Sequence, residues 1–306
     1  MFISRQNLSV VIVTFKSNEV VHECIKSIDK KIKIIVVENS NDSQFKQKLE
    51  KIYENVSCVL SSKNLGMGGG NNIGIKMIKT DFVLILNPDV TLEKSTISEL
   101  ITASQLISDF AILAPICSNI KYPNYILDSK KDSKNEMKLP FKVKSVDGFA
   151  MLFNKKKLDK IIQNETFNHN NDYFDENFFM YLENDDLCKR IKDNNENIFI
   201  VPTSKVNHLG GKAVDIKYQN EIELSRNWHW IWSKFYFNKK HFSYFKAFTA
   251  GFPKFFLGLI KYKYYFLIGN KEKQKIYLNR VSGFFNAAKN KPSWYRPNIN
   301  FNDLEN

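Results

Sequence analysis

Short apolar runs rich in β-branched residues recur through the first third of the chain, and helical patterns fall between them. "LSVVIVTF", "IKIIVVE", "VSCVLSS", "DFVLILNPD" and "AILAPI" are continuous runs rather than alternating ones. A strand that is apolar on both sides must be covered on both faces. "VVHECIKSI" and "QFKQKLEKIY" carry apolar residues at helical spacing. "NLGMGGGNNIGIKMIK" reads as a glycine loop running into a helix, and a further helix covers roughly Leu92 to Ile107. This order predicts an α/β fold, with a mostly parallel sheet and helices on both faces. Ligands of such sheets bind at the carboxyl ends of the strands.

The pattern then loosens. Residues 118–142 are polar and lysine-rich and read as a surface excursion. "VKSVDGFAMLFN" resumes strand structure, and "FDENFFMYLENDDLCKRIKD" leads into a helix starting near Glu183. "NIFIVP" is a strand and "SKVNHLGGKAV" a loop. From Arg226 onward the chain holds 15 Lys or Arg against 3 Asp or Glu, which accounts for nearly all of the net charge of +13. The same stretch carries 23 aromatic residues, including all four tryptophans. Two parts with different partners are expected. The first is a sheet domain over 1–224, with halves of about 1–117 and 143–224. The second is a helical, aromatic and basic extension over 225–306.

Several classes are disfavoured. Cys24, Cys58, Cys117 and Cys188 stand apart, without metal spacing, which suits a reducing compartment and argues against zinc or a disulfide scaffold. No uncharged apolar run approaches the roughly 20 residues needed to span a bilayer. The apolar run after Arg5 has no small-residue cleavage site, so it is expected to be a strand and not a signal peptide.

Five stretches can carry chemistry. Asp89 in "NPDV" follows the strand "FVLIL". It either holds a hard divalent cation on substrate phosphates or caps the next helix. The glycine stretch holds Gly66, Gly68, Gly69, Gly70 and Gly74 with Asn64, Asn71 and Asn72. It brings amides to an anion or is a flexible connection. It matches neither a dinucleotide fingerprint nor a P-loop. Glu38 ends the second strand and either accepts hydrogen bonds from a base or ribose or is solvated. In "YLENDDLCKR", Glu183 and Asp186 share a helix face, Asp186 and Arg190 are spaced for an ion pair, and Asp185 is expected in solvent. Glu183, placed after an aromatic run, is a candidate general base; the bland alternative is an acid favouring a helix dipole. His208 lies just after a strand, beside glycines, and is either structural or near a metal or diphosphate.

Together these stretches resemble the inverting family 2 glycosyltransferases of the GT-A fold, most closely bacterial rhamnosyltransferase-like members. The resemblance covers roughly Leu8 to Val214, through "VVIVTFKSN", "IIVVENS", "NLGMGGGNNIG", "LILNPDV", "VDGFAMLF", "FDENFFMYLENDDLCKR" and "VPTSKVNHLGG". It implies that Thr14, Phe15, Glu38, Asn39 and Asn64 line a nucleotide pocket, with Gly66, Gly68, Asn71, Asn72 and Asn87 at the substrate. It implies Asp89 as the acid that holds Mg²⁺ or Mn²⁺ on the diphosphate, with His208 nearby. Gly148 and Phe149 fall near donor sugar and acceptor. Glu183 is the implied base, with Asp186 the alternative. Three positions depart from the family pattern: Asn87 in the metal motif, Glu38 for an Asp, and Asn184 for the Asp that usually follows Glu183.

The implied reaction moves a sugar, rhamnose being one candidate, from a nucleoside-diphosphate sugar to a glycan or polyprenyl-linked acceptor. Asn184 keeps a second reading open, a non-catalytic sugar-nucleotide or lipid-binding protein. A nucleotidyltransferase would be expected to show a basic, glycine-rich loop after the first strand, and "TFKSNE" has no glycine. The extension mixes aromatics with lysines, which suits helices lying on an anionic membrane surface; ordinary packing on the catalytic domain is the alternative. No nucleic-acid motif supports a nucleic-acid partner. The expected location is cytoplasmic, peripheral on the inner face of the cytoplasmic membrane.

Overall fold

The structure is a computed structural model that describes residues 2–118, 123–128, 139–163 and 172–299. The described chain forms two compact units. One comprises Met1–Asp175 and Asn184–Asp215, the other Glu176–Glu183 and Ile216–Asn306.

The first unit is built on a sheet. Its strands are β1 (Leu8–Thr14), β2 (Lys33–Glu38), β3 (Val56–Leu60), β4 (Phe82–Leu86), β5 (Val90–Leu92), β6 (Ile112–Cys117), β7 (Tyr125–Leu127), β8 (Phe141–Val146), β9 (Ala150–Asn154) and β10 (Ile198–His208). The order is β3-β2-β1-β4-β9-β6-β10-β8-β7, with β5 paired to β10 off this path. Strands β1, β2, β3, β4, β6, β7 and β10 run one way, while β5, β8 and β9 run the other. The mostly parallel sheet is therefore interrupted where β9 inserts between β4 and β6.

Helices cover both faces, as the continuous apolar strands require. Val10, Ile12, Ile34, Val36, Leu84 and Leu86 face one cluster. It also holds Val21 and Cys24 of α1 (Val21–Lys26), Phe45 and Leu49 of α2 (Ser43–Ile52), and Ile97 and Leu100 of α4 (Thr96–Leu106). Val11, Ile35, Val37, Val83 and Ile85 point the other way. They meet Ile75 of α3 (Gly66–Met77), Leu158 and Ile161 of α5 (Lys155–Gln163), and Leu187 and Ile191 of α6 (Glu183–Asp193).

Four local readings change. The glycine stretch is not a loop: it forms the first two turns of α3. Gly70 and Gly74 lie against β1, where an added Cβ would come within 2.6 Å of Val13 Cγ1 and 2.4 Å of Val11 Cγ1. Glycine here permits close helix–sheet approach, which outweighs its poor helix propensity. The helix expected from Leu92 begins at Thr96, because Val90–Leu92 pairs with β10. "VKSVDGFAMLFN" divides into β8 and β9. The stretch read as a loop after "NIFIVP" continues β10, past a register shift between Val201 and Lys205, as far as His208. Of the excursion at 118–142, Tyr125–Leu127 pairs with β8, while 119–122 and 129–138 lie outside the described residues.

The second unit contains α7 (Gln219–His241), α8 (Tyr244–Leu267) and α9 (Lys271–Ala288). Trp228, Trp232, Phe235, Ala247 and Phe284 form its core. Both buried indole N–H groups are satisfied, Trp228 donating to Ser282 Oγ at 3.1 Å and Trp232 to the Lys291 carbonyl at 3.0 Å. Phe178 and Met180 of the aromatic run before α6 meet α7. Ser233 Oγ donates to the Met180 carbonyl at 2.8 Å, and Phe178 meets Tyr236 edge-on at 4.9 Å. Gly283 lets α9 approach α7, since a Cβ there would stand 2.4 Å from the Trp228 carbonyl oxygen. A backbone carbonyl cannot swing aside, so Gly283→Ala is expected to cost about 1–3 kcal/mol of stability. Urea denaturation followed by tryptophan fluorescence measures this, and an unchanged midpoint would refute the close approach.

Candidate active site

Strands β1, β2 and β4 end together. Thr14 and Glu38 are register partners at the ends of β1 and β2, and the Asn39 N–H donates to the Thr14 carbonyl at 2.8 Å. Past Thr14 the chain turns through Lys16, a buried residue with φ of 50°. Its carbonyl accepts from the Asp215 N–H at 2.8 Å, and Ser17 Oγ donates to the Ala213 carbonyl at 2.6 Å. The segment after β10 thus folds back onto the β1 turn. Phe15 is half-buried in that turn, its N–H donating to Ser17 Oγ at 3.1 Å.

The start of α3 borders the same strand ends. Asn64 Oδ1 accepts from the Gly66 N–H at 3.0 Å, and Gly66 takes φ of 77°, which turns the chain into the helix. Asn39 Nδ2 donates to the Gly66 carbonyl at 3.0 Å. Asn39 Oδ1 and Asn71 Oδ1 are buried with no hydrogen-bond partner. A buried acceptor left open costs free energy and is a natural place for a ligand donor. Gly68 is buried in the first turn. Asn72, in contrast, is spent on architecture: Nδ2 donates to the Phe174 carbonyl and Oδ1 accepts the Phe174 N–H, both at 2.9 Å.

Asp89 lies just past β4. Its Oδ2 accepts the Lys212 N–H at 3.2 Å, while the buried Oδ1 has no hydrogen bond and stands 3.5 Å from His208 Nε2. His208 is held by its place at the end of β10 and by stacking on Phe149, with ring centroids 4.2 Å apart. Asn87 and Phe149 are joined by an N–H to carbonyl bond of 2.9 Å, so β4 and β9 deliver Asp89 and Phe149 to one place. Gly148 packs so closely that an added Cβ would lie 2.8 Å from Met67 Cε and 3.2 Å from Asn184 Cβ. Asn184 Nδ2 donates to the Val146 carbonyl at 2.9 Å.

Asp89 and His208 fit a small divalent cation as a two-donor set. Carboxylate oxygen and imidazole nitrogen both suit Mn²⁺, and the carboxylate suits Mg²⁺. Among the described residues no group of three or more His, Cys, Asp or Glu converges on a point. A cation here must take the rest of its shell from water and substrate oxygens, as a diphosphate-bound ion does.

The remaining acids separate by environment. Glu38 is buried, with Oε2 accepting the Ser40 N–H at 2.8 Å and the Asp42 N–H at 3.0 Å, and Oε1 accepting the Ser40 hydroxyl at 2.6 Å. Burial pushes its carboxyl above the usual range, against these hydrogen bonds. It organises the loop after β2, and both its oxygens are engaged there. Asp186, the alternative base, is fully enclosed and paired to Arg190 Nε at 2.9 Å, and Arg190 also donates to the Tyr173 carbonyl. Its charge is answered inside the fold. Asp185, expected in solvent, is half-buried, and burial pushes its carboxyl up despite a hydrogen bond from Ser145. Glu183 is buried at the first position of α6. It follows two residues with left-handed backbone, Tyr181 at φ of 70° and Leu182 at 69°. Non-glycine residues occupy this region at a cost that the surroundings must impose; Tyr181 is held edge-on against Trp230 at 5.1 Å.

Sequence reasoning missed Asp147, an exposed residue whose carboxyl is raised first by partial desolvation among its neighbours and then by the Asp185 charge. It lies inside the quoted "VDGF", next to Gly148, so a signal was present. It also missed the Lys212 amide and the strained Lys16 turn, which no local pattern announces.

Asp185 and Asp186 make a paired test. Asp186→Ala strands Arg190 and is expected to cost about 3–5 kcal/mol. Asp185→Asn removes a disfavoured charge and should leave stability at pH 7 unchanged or higher. Chemical denaturation of both variants decides it, and equal effects would refute the assignment.

Residues 9–162 match the model of glycosyl transferase family 2. Among curated proteins, the low-salt glycan biosynthesis hexosyltransferase Agl10 of Haloferax volcanii is 29% identical over 217 residues, covering 63% of this chain and 64% of the relative. The chain thus spans just under two thirds of that protein's length. Among solved structures, Staphylococcus aureus TarS (S. aureus TarS 1-349) matches with a TM-score of 0.52 and 15% identity, over 98% of each chain. The crystal structure of GalNAc-T7 with UDP, GalNAc and Mn²⁺ matches with a TM-score of 0.52 and 13% identity, over 66% of this chain and 43% of that one. At such identities the structural matches speak for the fold alone, a GT-A-like α/β sheet. With half of its length matched by the family model, the chain belongs to glycosyl transferase family 2.

Proposed function

We propose that this protein is an inverting glycosyltransferase that moves a hexose, with rhamnose a candidate, from a nucleoside-diphosphate sugar to a hydroxyl of a lipid-linked or cell-surface glycan. The observation that carries the reading is Asp89. In this family 2 chain, a buried carboxylate oxygen just past the end of a parallel strand has no hydrogen bond and stands 3.5 Å from His208 Nε2. The relative's description as a glycan biosynthesis hexosyltransferase supports the substrate class.

Nucleotide binding falls to Thr14, Phe15, Asn39, Asn64 and the first turn of α3, where the open oxygens of Asn39 and Asn71 accept donors from the ligand. Glu38 acts on this pocket through the loop that it holds. Asp89 and His208 hold Mg²⁺ or Mn²⁺, which when bound offsets the charge of the departing diphosphate. A structural neighbour of the same fold was solved with UDP and Mn²⁺, which supports the choice of a divalent metal beside a nucleoside diphosphate. Gly148 and Phe149 border the sugar. Glu183 takes the proton from the acceptor hydroxyl, whose oxygen displaces the diphosphate from the opposite face of the anomeric carbon. Its burial at the start of a helix, after a strained turn, suits a carboxylate held in one orientation. The sheet unit and α6 supply the transfer, and the helical unit, whose main segment begins at Ile216 and not at 225, supplies contact with an anionic membrane surface.

A second reading has one observation in its favour. Asn184 occupies the position where the family usually has an acid, and its amide is committed to the Val146 carbonyl. A protein that binds sugar nucleotides without transferring them would have this feature.

Removing a general base slows such a reaction about 10²–10⁴-fold. Glu183→Gln is therefore expected to lose transfer by that factor while a panel of nucleotide sugars still raises its thermal midpoint. Near-wild-type turnover would remove Glu183 from the mechanism. EDTA, and Asp89→Asn, should weaken both the donor-induced thermal shift and turnover. Donor binding without hydrolysis or transfer by the wild type, with Mn²⁺ present, would favour the second reading.

A further inference from the structure

Helix α8 is covered on one stripe only. Ala247, Gly251, Phe255, Gly258, Tyr262 and Tyr265 recur at three- and four-residue spacing and are buried or half-buried. Gly251 and Gly258 bring this stripe against Phe284 and Val281 of α9. In a water-facing helix the opposite side would be polar. Here it carries Phe245, Phe256, Leu257, Ile260, Tyr264 and Leu267, each at least half exposed, with Phe245 at 76% and Leu267 at 80%. At about 100° per residue these six fall within a sector of about 120°, opposite the buried stripe.

Charge identifies what covers this face. α8 contains no Asp or Glu and has four lysines, Lys246, Lys254, Lys261 and Lys263. Lys254 and Lys261 lie along one flank of the apolar sector and Lys263 along the other. Lys246 sits over the Phe242 ring at 3.4 Å from its centroid. A second copy docked on this face would bring lysines against lysines. An anionic lipid surface answers them and takes up the apolar side chains. No described helix is long and apolar enough to cross a membrane, so α8 would lie along the surface.

We propose that the outward face of α8 is the membrane-docking surface of this protein, with Phe245, Phe256, Ile260 and Leu267 entering the acyl boundary of an anionic bilayer and the flanking lysines meeting its headgroups. The proposal rests on the peripheral-membrane reading above and gives it an element and a face. It also divides the aromatic wealth of the extension: Trp228, Trp232 and the inward stripe of α8 serve the core, and the outward face of α8 serves the lipid.

The test uses the full chain with sedimented vesicles of phosphatidylcholine alone or mixed with phosphatidylglycerol. Wild type should bind the anionic vesicles at least tenfold more tightly than the neutral ones. The variant Phe245→Ser/Phe256→Ser/Ile260→Ser/Leu267→Ser should lose at least tenfold in that binding while its circular dichroism and its thermal shift with nucleotide sugars stay as in wild type. Lys254→Glu/Lys263→Glu, which leaves the apolar residues in place, should lose the preference for anionic lipid. Unchanged binding by both variants would overturn the α8 assignment and leave the peripheral reading standing. No vesicle binding by the wild type would overturn both. Self-association in sedimentation velocity that the four-serine variant abolishes, without vesicle binding, would show the face to be an interface between copies and would also overturn the proposal.

Discussion

The close approach of α3 to β1 and β2 is the contact on which the candidate site depends. Gly70 and Gly74 leave no room between helix and sheet, because Val13 and Val11 already fill the space a Cβ would need. That contact sets the first turn of α3 beside Thr14 and Asn39, the ends of two parallel strands. Parallel register then brings β4 to the same edge and delivers Asp89. A side chain at Gly74 would push the helix off the sheet and separate the open amide oxygens of Asn39 and Asn71 from the strand ends. Interiors at crystal-like density transmit such shifts instead of absorbing them.

Within that frame, residues of one chemical kind take different tasks because their surroundings differ. Glu38, Asp89, Asp185 and Asp186 are all carboxylates near the strand ends or on α6. Glu38 is saturated by the amides of its own loop, and Asp186 is neutralised by Arg190. Asp185 is half-buried with a weak hold on its charge. Asp89 alone of these four combines deep burial with an oxygen that has no hydrogen-bond partner. The same sorting applies to the asparagines: Asn72 ties two backbone groups of Phe174, while Asn39 and Asn71 keep acceptors open.

The second unit shows a comparable division of aromatic residues. Its composition suggested contact with an anionic membrane surface or, alternatively, packing on the catalytic domain. The structure assigns many of the rings to an internal core in which Trp228 stacks on Trp232 at 6.3 Å and lies edge-on to Trp294 at 5.6 Å. His229 is buried in the same core, and burial pushes its imidazole down to about 3, so it is neutral at physiological pH and donates its Nε2–H to the Tyr295 carbonyl at 2.8 Å. The rings left outside belong mainly to α8 and its ends.

Much of the fold was legible in the residues themselves. Continuous β-branched runs determine strands that must be covered on both faces, and their alternation with helical patterns determines an α/β sheet. The seven ordered motifs determined the family, and the i, i+4 spacing of Asp186 and Arg190 determined their ion pair. Other features were decided only by tertiary structure. Local pattern could not show that the glycines are helical, because glycine's reason for being there is a strand distant in sequence. It could not extend β10 to His208, because "SKVNH" becomes a strand only by pairing with β5 and β6. Nor could it divide the acids into loop organiser, ion-pair partner and carboxylate with an open oxygen, since that depends on which amide or guanidinium the folded chain brings within 3 Å or so. Sequence fixes which groups are available, and long-range packing decides which of them remain free to act.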